Sequence, residues 1–436
     1  MNETDIKIED LSSMDEEEIR HFFKEGKITF PRNIEQDVKR IIGDVANRGD
    51  EALLEHTKHF DSVDLSSCGI RITVNEIEAC IGNYKEEFSR ALDISIRRIR
   101  DFHEREVVKD WTYIDELGNT LGKKFTPIER VGIYIPGGKA SYPSTLIMTA
   151  IPALVAGVKE IVLISPPSSF DAPSSLSLAI TKIGNICDVY RVGGVQGIAA
   201  LALGTHTIKK VDKIVGPGNI YVTLAKKELY GYVDIDMIAG PSEVLIISDG
   251  SVNPRLTAVD LLAQAEHDEH ARAFCITTSL ETALDVRAEV FKLLQIAQRK
   301  NIIEASMKNN GRIFVVKSEN CAVSAANAIA PEHLEIQTED PESLLSEIKN
   351  AGAIFLGKYT PEAFGDYLAG PSHVLPTHGT ARFFSPLNVL SFVKFSSVIN
   401  MSKKGIDELG RYASVFAETE GLAAHASSIY FREEED

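Results

Sequence analysis

The stretch RVGIYIPG, residues 130–137, decides the fold, because the texture of the chain changes there. Upstream of Arg130 the pattern is helical, with apolar periodicity over Asn33–Phe60 and again over Asn75–Phe102. From Arg130 onward, apolar runs alternate with helical segments of similar length. The further runs are EIVLISP (160–166), DVYRVGG (188–194), KIVGPGN (213–219) and DIDMIAGPSEVLIIS (234–248). Near-continuous apolar runs suit strands buried on both faces, so the pattern predicts βαβ units and a mostly parallel sheet covered by helices. The alternation resumes after Asn253. A helix to about Glu266 precedes RAFCITT (272–278), and a helix over Leu280–Gln298 precedes GRIFVV (311–316). A helix near Ser324 is followed by HLEIQ (333–337) and AGAIFLG (351–357). Two similar α/β units are expected, without a strict sequence repeat. The last sixty or so residues lack the alternation and read as interface more than core, ending in the acidic tail REEED (432–436).

The chain has 436 residues and a net charge of -17, and is 44% hydrophobic. That length suffices for two or three cores. The acidic balance argues against nucleic acid or an anionic membrane as partner, since both demand a basic surface. Cys68, Cys80, Cys187, Cys275 and Cys321 are scattered, odd in number and without a CxxC pair, which fits a reducing cytoplasm. The acidic N-terminus lacks a basic region followed by an apolar core, so no secretory signal is read there. No apolar run reaches transmembrane length.

Three strand ends run into glycine clusters: YIPGGKA (134–140), GGVQG (193–197) and GPGN (216–219). Each precedes an apolar helix, so backbone N–H groups and a helix N-terminus are available to an anion such as a pyrophosphate. None is a GxGxxG fingerprint. Each taken singly is a tight strand-to-helix turn, and their weight comes from lying together at the carboxyl ends of parallel strands.

Titratable residues gather in four other segments. IAPEHLEI (329–336) sets Glu332 beside His333 at the mouth of a strand. Pro331 fixes its own φ and biases Ala330 toward an extended conformation, so a turn there lets adjacent side chains share one site. LLAQAEHDEH (261–270) places Gln264 and His267 three residues apart, hence on one helix face. His267 and His270 lack the spacing of the HExxH zinc proteases. GDYLAGPSHVLPT (365–377) carries Asp366 and His373, and ETEGLAAHA (418–426) carries Glu420 and His425. Singly, each is as well read as a solvated or capping residue. Together, Gln264, His267, Asp366 and His425 make a mixed N/O donor set suited to a borderline divalent cation, zinc first.

IDMIAGPSEVLII, LLAQAEHD, IAPEHLEI, GDYLAGPSHVLPT and ETEGLAAH, in that order, closely resemble the histidinol dehydrogenase family over nearly the full chain. The resemblance implies a zinc-dependent, NAD-linked four-electron oxidation of L-histidinol through L-histidinal to L-histidine. It implies zinc ligands at Gln264, His267, Asp366 and His425, one zinc per subunit, with His425 supplied by the partner of a homodimer. It further implies a catalytic acid/base pair at Glu332 and His333 and substrate contacts at Ser242, His373 and Glu420, with the zinc ligands and His333 also near the substrate. Nicotinamide-cofactor contacts fall at Tyr134, Gln196 and Asn219. The implied fold is two incomplete Rossmann-like domains with parallel sheets plus small terminal segments, intertwined in the dimer. Its expected divisions are an N-terminal segment 1–30, a discontinuous domain of 31–130 and 239–377, a domain of 131–238, and a C-terminal segment 378–436. Three other readings compete: oxidation of another primary alcohol by a family relative, a metallohydrolase using the metal ligands with Glu332, and a catalytically silent binding protein.

Overall fold

The computed structural model describes residues 5–24, 30–137 and 142–434; Gly138 to Ala140 of the YIPGGKA turn and the last two residues of the tail lie outside them. Among the described residues the strands, in chain order, are β1 (Lys7–Asp10), β2 (Arg71–Ile72), β3 (Trp111–Ile114), β4 (Thr120–Pro127), β5 (Arg130–Tyr134), β6 (Glu160–Ile164), β7 (Asp188–Tyr190), β8 (Lys213–Val215), β9 (Asp234–Ile235), β10 (Glu243–Ser248), β11 (Arg272–Thr277), β12 (Arg312–Val315), β13 (His333–Gln337), β14 (Ala353–Leu356) and β15 (Val393–Asn400). They form three sheets: β2-β7-β6-β5-β8-β9, β1-β12-β11-β10-β13-β14, and β15-β4-β3.

The first two sheets are wound alike. From β5 the chain steps outward to β6 and β7, then crosses to β8 and β9 on the other side; from β10 it steps to β11 and β12, then crosses to β13 and β14. Neighbours are parallel except at the β2 edge. The expected mixed α/β architecture with parallel sheets and two similar units is therefore present. Strands β5 and β10 are buried throughout, as their unbroken apolar runs require. Gly132 in β5 permits close helix-on-sheet packing, since a Cβ there would lie 2.7 Å from a Leu201 methyl.

The expected domain division needs correction. Helix Pro143–Ala156 and helix Gly194–Leu203 are buried nearly all round, so each needs a further layer outside it. The upstream helices supply that layer. Val38, Ile41, Val45 and Leu53 share a core with Val162, Ile198 and Leu201, and Leu92 and Ile99 share one with Val131, Ile133 and Ile147. Residues 31–130 thus share their main cores with 131–238, and meet 239–377 at Ser95 and Arg98, which donate to the Tyr367 and Leu368 carbonyls. The N-terminal segment likewise is not separate, because β1 pairs with β12 in the second sheet. Leu387 and Phe392, from the expected C-terminal segment, sit in the first core.

Two long helices expected upstream are each broken. Gly49, at φ +55°, separates helix Arg32–Arg48 from helix Asp50–Asp61, and residues 81–85 separate Val74–Cys80 from Glu86–His103. The third sheet, β3, β4 and β15, packs with helices Lys403–Thr419 and Ala423–Glu433 into a C-terminal unit that leaves Phe395, Val415, Phe416 and Phe431 more than half exposed. No helix among the described residues is long and apolar enough to cross a membrane.

One connection positions everything that follows. Residues 236–242 join β9, the last strand of the first sheet, to β10, the strand from which the second is wound. Seven residues span at most roughly 25 Å, so the carboxyl ends of one sheet are tethered close to the amino ends of the other.

Candidate active site

Strands β10 and β13 are neighbours with Val244 opposite His333, which brings Ser242 and Glu243 against Glu332 and His333 at the amino edge of the second sheet. Helix Pro254–Ala265 returns to the same edge: its 12 residues run ~18 Å antiparallel to a six-residue β10 of ~20 Å. Gln264 in its last turn therefore arrives beside β10's start. The spacing predicts that His267 shares the helix with it, but the helix ends at Ala265, and His267 follows in a turn closed by its N–H to the Gln264 carbonyl at 3.2 Å.

The turn entering β13 also differs from expectation. Ala330 is not extended but left-handed, at φ 51° and ψ 61°, and its N–H caps helix Glu319–Ile329 by donating to the Ala326 carbonyl. The helix-ending hydrogen bond outweighs the bias imposed by Pro331. The outcome still serves the site, because Glu332 precedes the first strand residue and both Glu332 and His333 are 6% exposed.

The Glu332 carboxyl accepts the Glu243 N–H at 2.9 Å and a hydrogen bond from Ser242. Burial drives its pKa well above the ordinary value, with the charges of Glu243 and Asp366 adding to the effect against those two donors. His333 Nδ1 lies 3.1 Å from the Glu243 carbonyl oxygen. A carbonyl only accepts, so Nδ1 carries the proton and Nε2 is left as the basic nitrogen. Burial pushes the His333 pKa down to about 4, against the charge of Asp366, so the imidazole is neutral at physiological pH.

Helix Glu362–Tyr367 supplies Asp366, and with it Glu362 four residues earlier on the same face. Burial works to raise the Asp366 pKa, but the hydrogen bond and charge of His373, with His333 and His267, hold it below the ordinary carboxylate range. His373 Nδ1 stands 3.1 Å from the Asp366 carbonyl and 3.6 Å from its carboxylate. Glu362 is buried, with Oε2 3.6 Å from His333 Nδ1. Facing that carboxyl, the Gln264 amide is satisfied only with its nitrogen inward, 3.2 and 3.0 Å from the two Glu362 oxygens.

The structure thus gathers Ser242, Gln264, His267, Glu332, His333, Asp366 and His373 within one chain. It does not bring Glu420 or His425 to them: both are exposed, one capping helix Lys403–Thr419 and the other on helix Ala423–Glu433. Sequence reasoning missed Glu243 and Glu362. Glu243 directly follows the singled-out Ser242, and Glu362 stands four before Asp366, a spacing that could have found it.

At the carboxyl ends of the first sheet, Tyr134 closes β5, Gln196 lies in the first turn of helix Gly194–Leu203 after β7, and Asn219 caps helix Ile220–Leu229 after β8. The crevice between β5 and β8 is where the winding reverses. Gly216 has φ +113° and would set a Cβ 2.1 Å from the Tyr134 carbonyl oxygen, so only glycine fits. Its N–H donates to Asp236 at 2.8 Å, and Asp236 is locked by a buried ion pair with Lys226, which also donates to the Gly216 carbonyl. Burial raises the Tyr134 hydroxyl to about 12. Asn219 Oδ1 accepts from the Tyr221 and Val222 N–H groups, leaving its amide nitrogen to face outward. Gln196 Oε1 is buried without a hydrogen-bond partner. A buried acceptor with nothing donating to it, beside a glycine-lined turn, fits the donors of a bound dinucleotide.

The donor set also fits a divalent cation. Gln264's nitrogen is committed to Glu362, which turns its oxygen outward, and Asp366 is held as an anion. Among the described residues no three His, Cys, Asp or Glu side chains form a ready-made cage. Of the ligands expected from the resemblance, His267, Asp366 and the Gln264 amide lie together, while His425 stands apart from them within the chain.

Residues 26–433 match the family model of histidinol dehydrogenase. The chain is 49% identical over 404 residues to the histidinol dehydrogenase of Syntrophotalea carbinolica, covering 93% of this chain and 94% of that one. It is 47% identical over 430 residues to that of Aquifex aeolicus, covering 98% and 99%. The crystal structure of histidinol dehydrogenase from Elizabethkingia anophelis superposes with a TM-score of 0.92 at 35% identity, covering 99% of this chain and 98% of that one. The site's residues, the winding and these full-length relatives agree: the chain belongs to the histidinol dehydrogenase family.

Proposed function

We propose that this chain oxidises L-histidinol through L-histidinal to L-histidine, using zinc and two NAD in sequence, as a cytoplasmic enzyme of histidine biosynthesis. The observation that carries the reading is the pairing of a neutral buried imidazole with a buried carboxyl at the amino edge of one sheet, tethered by seven residues to the glycine turns of the other. The shared winding supports reading both units as Rossmann-like.

His333 Nε2 takes the hydroxyl proton as hydride leaves the alcohol carbon. Its depressed pKa lets it pass that proton on to solvent before the second oxidation. Glu332, once ionised, removes a proton from the water that adds to the aldehyde, whose oxygen takes up a proton from solvent to give the hydrate; the raised pKa of Glu332 makes it a stronger base than an exposed carboxylate. His333 then serves the hydrate's hydroxyl as it served the alcohol's. Ser242, His373 and Glu420 are assigned to the substrate, and Tyr134, Gln196 and Asn219 to the cofactor. Bound NAD accepts a hydride in each half-reaction. Zinc, held by Gln264, His267, Asp366 and His425 of the partner subunit, would orient the substrate's imidazole and amino nitrogens.

A homodimer with shared sites accounts for two features together. It covers the exposed apolar side chains of the C-terminal unit, and it brings Glu420 and His425 to a site that they do not reach within their own chain. His425→Ala and Asp366→Ala proteins, each inactive, should regain part of the activity when mixed. Verified mixed dimers without rescue would place each site within one chain. The reaction itself is tested by NADH formation: two NADH per histidine, lost on chelation, support the proposal, whereas one NADH or none moves the substrate to another alcohol.

A further inference from the structure

Resting on the metal reading above, we propose that Glu362 is a positioning residue that fixes which atom of Gln264 faces the metal and thereby sets how tightly the metal is held. An amide's oxygen and nitrogen have nearly the same shape, so nothing in packing alone chooses between them. Glu362 chooses by chemistry. The amide atom facing it lies 3.0 and 3.2 Å from its two oxygens; a nitrogen there donates to both, whereas an amide oxygen would oppose two acceptors.

Glu362 is itself held from several sides. Its backbone N–H donates to Glu335 at 2.8 Å. Glu335 accepts from Gln337 at 2.7 Å, and Gln337 donates in turn to Asp260 at 2.8 Å on the helix that carries Gln264. Glu362 also sits 3.6 Å from His333 Nδ1 and one helical turn before Asp366. One buried side chain therefore touches the amide ligand and the base, and shares a short helix with the carboxylate ligand. Nothing in the assigned chemistry uses Glu362 directly, and a buried carboxyl without a task would be costly to retain.

The test measures zinc retention by competition with a chelator, alongside the melting temperature of metal-free protein. Glu362→Ala should weaken zinc retention 10–100-fold, the range typical of groups that orient a ligand, with Asp366→Ala as the control that zinc occupies this site. Glu362→Gln, which keeps one acceptor, should lose less. Gln264→Glu sets two carboxyls face to face and should also lose zinc, while the double variant Gln264→Glu/Glu362→Gln restores a donor–acceptor pair and should recover retention relative to either parent. A merely structural Glu362 would give additive losses and no recovery, and this overturns the inference even if all variants melt lower. Equal zinc retention in wild type and Glu362→Ala overturns it too, leaving the metal reading intact. Wild-type protein that holds no zinc, or holds it unchanged in Asp366→Ala, defeats the metal reading and the inference with it.

Discussion

The two parallel sheets share one winding but carry their proposed functional residues at opposite ends. In the first, the carboxyl ends carry glycine turns, a capping asparagine and a buried glutamine, with close backbone approach as the main device. In the second, the amino ends carry three histidines and several carboxyls, drawn from two strands, the two helices that return there and the segments just after those helices. On the proposed assignments, the carboxyl-end rule for open α/β sheets describes the first and not the second. The seven-residue connection explains why: the second sheet offers its amino edge because that is the edge tethered to the first sheet's crevice. Winding alone does not locate chemistry; the join between units does.

This division of labour can be broken experimentally. The largest effect should come from His333→Ala, which removes the proton acceptor of both oxidations and should lower kcat by about 10²–10⁴-fold while leaving NAD affinity by calorimetry unchanged. An equal loss of NAD binding would mean that the ends are not separate in function. Next, Gly216→Ala forces a Cβ against the Tyr134 carbonyl at φ +113° and should raise the KM for NAD by roughly tenfold or more, with zinc retention unaltered. A change in zinc content with no change in KM would reverse the assignment.

The smallest and most discriminating effect concerns pH. His333 acts when neutral, and burial sets its pKa at about 4, so alcohol oxidation should persist as pH falls and fail only near that value. Glu332 acts when ionised, and burial raises its pKa well above the ordinary range, so aldehyde oxidation should fail at higher pH than alcohol oxidation. Separate pH profiles with histidinol and histidinal check this; coincident acid limbs would mean that one group governs both steps.

Much of the second sheet's site was legible because its residues lie in short, chemically loud segments: Glu332 and His333 at a strand mouth, Asp366 and His373 among glycines and prolines. The central strands were legible through their apolar runs. Other elements were silent for physical reasons. β1 reads KIED, a polar edge strand, and β4 reads TLGKKFTP, the middle strand of a small half-exposed sheet; neither has the apolar run of a buried strand. The grouping of residues 31–130 with 239–377 came from the resemblance, because an amphipathic stripe shows that a helix has a buried face, not which layer it meets; the cores show those helices covering the first sheet. Glu362 was passed over because a lone glutamate on a helix resembles a solvated one until Gln264 is seen opposite it. Glu420 and His425 stood out as one titratable segment, but only the resemblance assigned them to a partner's site, since within one chain they face solvent.

The central claim is that two adjacent residues act as bases of different kinds, one for hydroxyl protons and one for water. The most direct measurement is NADH yield and product identity for Glu332→Gln given histidinol, beside the same variant given histidinal. The account predicts that histidinol yields close to one NADH with histidinal accumulating or released, and that histidinal oxidation is cut by about 10²-fold or more. Equal impairment of both half-reactions, with two NADH still formed per histidine, would contradict it.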